Sequence, residues 1–198
     1  ELLWVCVPYV GLVIIAIVIW MFFKRSKDSE KDMSGDLNIL DSIKKLIKIP
    51  RYAFGVIAQF FYVGVQISVW TWTIQYVMTT VGLNEADAAQ YYLIAIVLFI
   101  ACRWICTALM KYIEPALMMA VFAVGGILAS LGTIYLPTSQ SVWCLVTISA
   151  CMSLMFPTIY GIALKDLGEE VKVGAAGLIM AILGGAVITH IMGRFIDN

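Results

Sequence analysis

Apolar residues run through this chain in six stretches, 2–23, 53–81, 88–110, 116–136, 142–164 and 174–196, separated by short polar turns and one long polar segment, 24–52. A hydrocarbon layer about 30 Å thick is crossed by about 20 helical residues, so the pattern predicts an all-α membrane protein with six transmembrane helices. Two of the stretches are not apolar all round. Wound at 100° per residue, 53–81 places Gln59, Tyr62, Gln66, Trp70 and Thr73 in one stripe about 80° wide, with a nearly all-aliphatic face opposite. The stretch 142–164 does the same with Ser149, Ser153, Phe156 and Tyr160, within about 60° of one another, and carries Pro157 beside them.

Polar groups at membrane depth face either a watery cavity or another helix, and both readings are open for these stripes. The cavity reading carries the sharper chemistry. Amides donate and accept hydrogen bonds while aromatic faces cover C–H surfaces, which suits a polyhydroxylated ligand. The packing reading treats the amides as interhelical links and Pro157 as a kink. If 53–136 forms one three-helix unit, the stretch at 142 opens the next, and the two stripes take corresponding places in two repeats. Such internal symmetry is expected of secondary transporters, with a site near the midplane between repeats.

Composition narrows the class. Of 198 residues, 62% are hydrophobic and 13% charged, against about 25% charged in a soluble domain, which excludes a water-soluble fold. The formal net charge is zero and predicts no nucleic-acid partner. Placement is more informative. Lys24, Arg25, Lys27, Lys31, Lys44, Lys45, Lys48 and Arg51 fall in segment 24–52, so the positive-inside rule makes that segment cytoplasmic and fixes the direction of every span. Within it, Ile39, Leu40, Ile43, Leu46 and Ile47 oppose Lys44, Lys45 and Lys48 until Pro50 ends the pattern, predicting a short helix on the inner membrane surface. A solvated loop is the alternative, since so short a helix is marginal alone.

The turn GLNEADA lacks Lys and Arg, as an outer turn should, and Asn84 is placed to cap the helix that follows. Gly125, Gly126, Ala129 and Gly132 give 116–136 a small-residue surface for close helix approach. The five cysteines, Cys6, Cys102, Cys106, Cys144 and Cys151, lie in or beside apolar runs and read as small hydrophobes; neither a disulfide framework nor a metal site is expected. The chain starts at Glu1 directly into an apolar run without a basic leader, so no signal peptide is read there, and the whole is expected to be a piece of a longer protein.

Four runs, AQFFYVGVQISVW at 58–70, FIACRWICTALMKYIEP at 99–115, MSLMFPTIYGIALKDLGEEVKVGAAGLI at 152–179 and ILGGAVITHIMGRFID at 182–197, resemble the fucose permease and glucose/galactose permease family of the major facilitator superfamily. The resemblance covers essentially the whole chain. It implies helices six to eleven of a twelve-helix transporter: 1–23 the last helix of the N-terminal bundle, 24–52 the cytoplasmic linker, and 53–198 the C-terminal bundle without its last helix. It further implies uptake of a neutral sugar of fucose or glucose/galactose type, with a proton or sodium gradient and no cofactor, by rocking of two bundles in the cell inner membrane. Tyr62, Gln66, Trp70, Phe156 and Tyr160 match substrate-binding positions of helices seven and ten. Arg103 matches the cytoplasmic gate motif, although Cys102 and Cys106 stand where glycines are usual.

His190 departs from the family pattern and, as the only histidine, is a candidate for proton coupling or an interhelical hydrogen bond. No Asp or Glu lies inside any span, so the coupling carboxylate is expected in the absent N-terminal bundle. The expected partners are the lipid bilayer, a small neutral sugar and that bundle, with the transporter a monomer. Competing readings are an exporter of amphipathic small molecules and a non-transporting membrane subunit. An enzyme would need a nucleophile with its base, or metal ligands, and one histidine without paired carboxylates supplies neither.

Overall fold

The structure is a computed structural model that describes residues 2–26 and 39–196; the stretch 27–38 of the expected linker lies outside the described residues. The described chain is helical and divides into two compact units, 1–38 and 39–198. The first unit is α1 (Leu2–Ser26), which exposes apolar side chains from Val10 to Phe22.

The second unit holds α2 (Ile39–Ile47), α3 (Pro50–Val81), α4 (Glu85–Leu109), α5 (Pro115–Tyr135), α6 (Thr138–Met152), α7 (Met155–Leu164), α8 (Val171–Met180) and α9 (Gly184–Ile196). Five segments are long and apolar enough to cross a bilayer: Pro50–Val81, Glu85–Leu109, Pro115–Tyr135, Thr138–Leu164 and Val171–Ile196. They match the second to sixth predicted stretches to within a few residues. The limits follow local chemistry. Pro50 and Pro115 open α3 and α5 at positions where a missing N–H costs nothing, and Gly82 ends α3 in the left-handed conformation, φ 74°. Asn84 caps α4 as expected, its side-chain oxygen accepting from the Asp87 amide at 2.8 Å.

The fifth span is two helices. Pro157 has no N–H to offer the carbonyl four residues back, and α6 stops at Met152 before α7 resumes at Met155. The last span is likewise interrupted, by a 3-10 turn at Ala181–Leu183.

Two packing surfaces set the bundle. Against α5, the Cys151 and Cys144 thiols lie over Gly125 and Gly132, so the predicted small-residue face does meet a neighbour. Between α3 and α9 the approach is closer still: a methyl added at Gly184 would overlap the Phe60 carbonyl oxygen, and one at Gly64 would overlap Ile188. At the basic end, α2 is a helix, as the amphipathic pattern predicts, but its docking uses one narrow edge. Leu46 and Ser42 are buried, with Leu46 in a cluster with Tyr52, Ala163, Leu167 and Leu178, while Ile43 and Ile47 stay exposed. Lys45 pairs with Glu170 and Arg51 with Asp166, each at 3.1 Å.

Candidate functional site

The break between α6 and α7 organises the polar stripes. A carbonyl near a helix break needs a new donor, and the Tyr62 hydroxyl of α3 donates to the Met152 carbonyl at 2.8 Å. That bond holds the Tyr62 ring near Phe156, centroids 6.4 Å apart and planes tilted by 59°. One turn along α7, Phe156 and Tyr160 lie nearly parallel, 6.3 Å apart with 9° between planes. Three of the five predicted binding residues thus form one continuous row of rings across α3 and α7.

The other two stand farther along α3. Gln66 is half-buried and lies one turn from both Tyr62 and Trp70 on the same face. Trp70 packs edge-on against Phe99 of α4, centroids 5.1 Å apart, and its buried indole N–H has no acceptor among the described residues. Phe99 escaped the sequence reading. The only signal was its i,i+4 spacing from Arg103, which a single aromatic in an apolar run does not make specific.

The stripes do not share one fate. Gln59 is fully buried, neither of its amide atoms hydrogen-bonded to a described residue, and Thr73 is buried with its hydroxyl turned back to the Val69 carbonyl. Ser149 and Ser153 are also buried, without a partner for either hydroxyl among the described residues. These four are buried inside the bundle, yet none of them links two helices by a side-chain hydrogen bond among the described residues. Gln66, Trp70, Phe156 and Tyr160 remain partly open, and Tyr62 offers mainly its ring, since its hydroxyl is already engaged at the helix break.

Arg103 is exposed on α4, one turn from Phe99, and forms no ion pair with any described residue. His190 is exposed on α9 and lines a depression of about 650 Å³ with Ile67, Trp72, Thr189 and Arg194; none of the five predicted binding residues lines it. Two apolar cavities flank α3. One of about 400 Å³ lies against α6 and α9, and one of about 420 Å³ against α5 and α6. Tyr62 lines the second, whereas Gln66, Trp70, Phe156 and Tyr160 line neither.

A family model for the Major Facilitator Superfamily matches residues 2–189. The chain is 42% identical over 193 residues to an L-fucose-proton symporter of Haemophilus influenzae, covering 96% of this chain and 45% of the relative. It is 32% identical over 145 residues to a glucose/galactose transporter of Brucella abortus, covering 72% of this chain and 35% of the relative. A crystal structure of the E. coli fucose:proton symporter superposes with a TM-score of 0.76 at 30% identity, over 79% of this chain and 38% of that one. The chain therefore spans less than half the length of these relatives.

Proposed function

Because the chain belongs to the Major Facilitator Superfamily, we propose that it is the C-terminal half of a secondary transporter that carries a neutral sugar into the cell with a proton. Residues 1–23 then correspond to the sixth helix, 24–52 to the cytoplasmic linker between bundles, and 53–198 to helices seven to eleven, in the cell inner membrane. The reading rests on one observation above the others. Tyr62, Phe156 and Tyr160 form a row of rings across α3 and α7, with the Gln66 amide and the Trp70 N–H, unpaired among the described residues, farther along α3. Ring faces cover the C–H side of a pyranose and the amide and indole hydrogen-bond its hydroxyls, so the row can hold a sugar without any charged ligand group. The names of the relatives, fucose-proton symporter and glucose/galactose transporter, support the same substrate class.

The bundle supplies half a site. The carboxylates within its spans, Glu85 and Asp87, both lie in the first turn of α4 and none lies deeper, so the group that takes up the proton belongs to another part of the transporter. His190 stands on α9 apart from the aromatic row, a placement that suits an interfacial or interhelical role better than direct coupling to the sugar. The test is uptake of labelled L-fucose, D-glucose and D-galactose by the full-length protein in cells. Gln66→Ala and Trp70→Ala are expected to cut accumulation by at least about tenfold at equal membrane abundance. Undiminished uptake by both variants would remove the site.

A further inference from the structure

The short helix α2 is docked by one edge, and the rest of its circumference is exposed in a definite order. Leu46 and Ser42 mark the docked edge. At 100° per residue, Ile43 and Ile47 come next, about 60–100° around the helix from Leu46, and Lys44 and Lys48 follow at about 160–200°. The two isoleucines are one turn apart and 40% and 64% exposed. The two lysines are also one turn apart and exposed, and the bond from the Lys48 amide to the Lys45 carbonyl, 3.1 Å, carries the winding on through Lys48. Neither Lys44 nor Lys48 is ion-paired among the described residues, whereas Lys45, on the other side of α2, is held by Glu170.

The depth of this edge follows from α3. Its 32 residues are about 48 Å long against about 30 Å of hydrocarbon, which leaves about 9 Å at each end. Leu46 of α2 packs on Tyr52, in the first turn of α3 and so within that margin, and α3 exposes large apolar side chains from Phe54 onward. The exposed edges of α2 therefore stand at headgroup depth. They do so at the basic end of the bundle, where Lys111, Lys165 and Lys172 are exposed as well.

The order of residues selects the partner. An acidic soluble partner would pair the lysines and leave the isoleucines in water. A lipid interface takes both, because apolar side chains enter the acyl boundary while lysines beside them reach the phosphates. An ammonium pairs as a point charge, without the fixed geometry of a fork, and so suits a fluid layer of headgroups. We infer that Ile43, Ile47, Lys44 and Lys48 form a docking site for anionic lipids of the leaflet on the basic side. Zwitterionic headgroups cancel their own phosphate charge, so the lysines favour lipids of net negative charge. Only Lys48 and Ile49 separate α2 from α3, so the site anchors the segment that leads into the bundle, whatever the cargo.

Photolabelling in bilayers tests the site. Full-length protein would be reconstituted in phosphatidylcholine containing a trace of photoreactive phosphatidylglycerol or photoreactive phosphatidylcholine, and the labelled peptides mapped. The exposed apolar face of α5, from Leu117 to Ile134, serves as the reference for contact with lipid of either kind. Relative to α5, the α2 peptide is expected to take at least about fivefold more of the anionic label. The double variant Lys44→Gln, Lys48→Gln should bring that ratio close to one, Lys44→Arg, Lys48→Arg should keep it, and high salt should lower it. Ile43→Ser with Ile47→Ser should reduce labelling of α2 by both lipids. Equal labelling of α2 by the two lipids in the wild type would overturn the inference, as apolar contact without choice of headgroup. So would an α2 labelled by neither lipid while α5 is labelled, which would mean that protein covers this edge. Loss of the preference on adding soluble glycerol phosphate would reassign the lysines to a free anion.

Discussion

Gln59 and Gln66 lie on one stripe of α3, two turns apart, and have opposite surroundings. Gln66 is half-open, whereas Gln59 is sealed with two unsatisfied polar groups. An unpaired buried polar group costs about 1–3 kcal/mol, and replacing it by an apolar side chain of similar shape removes that cost. Gln59→Met is therefore expected to leave the melting temperature of the full-length protein unchanged or raise it, with sugar affinity within about twofold of wild type. A drop in affinity of at least about tenfold would place Gln59 in the site. Helical periodicity made the stripe legible but could not separate these two residues. It fixes direction around one axis, while burial depends on which neighbour stands at each level. Here Tyr52, Ala163 and Leu178 close the basic end of α3 and leave the level of Gln66 partly open.

At the scale of elements, sequence read the spans well because each is a long apolar run bounded by Pro, Gly or charge. It read the contacts between them unevenly. The glycines of α5 stood out as a spaced set and do receive the thiols of α6, but the closest approach is between α3 and α9, through Gly64 and Gly184. Those glycines lie on different segments, and no single-helix pattern pairs them. Helix association in lipid depends on such contact more than on apolar burial, because lipid tails are as apolar as the side chains they replace. Gly184→Ala must push its methyl into the Phe60 carbonyl, and the expected cost is about 1–3 kcal/mol. Gly161 of α7 has open space where a Cβ would go, so Gly161→Ala should be neutral or stabilising by up to about 1 kcal/mol. Thermal unfolding of both variants in one detergent checks the contrast, and equal effects would mean that the α3–α9 approach does not limit packing.

Across the 39–198 unit, the basic end is closed by α2, and two kinds of contact hold it there. The ion pairs Lys45–Glu170 and Arg51–Asp166 are largely solvent-exposed on the basic side, and pairs of that kind contribute about 0–1 kcal/mol and weaken with salt. Leu46 is 1% exposed and sits in the cluster that also holds Tyr52, whose hydroxyl donates to the Gly174 carbonyl of α8 at 3.0 Å. Burying a leucine is worth more than either exposed pair, and its removal leaves a cavity as well, for a total of about 2–5 kcal/mol. Leu46→Ala is therefore expected to release α2, speeding amide exchange across Ile39–Ile47 by at least about tenfold. The double variant Lys45→Ala, Arg51→Ala should change the same exchange by less than about fivefold, and 0.5 M salt should mimic it. If the charge variant loosened α2 as much as Leu46→Ala, the ion pairs would be the true fastening. The segment would then move with ionic strength and not with the fifth-to-sixth-span packing around Leu167 and Leu178.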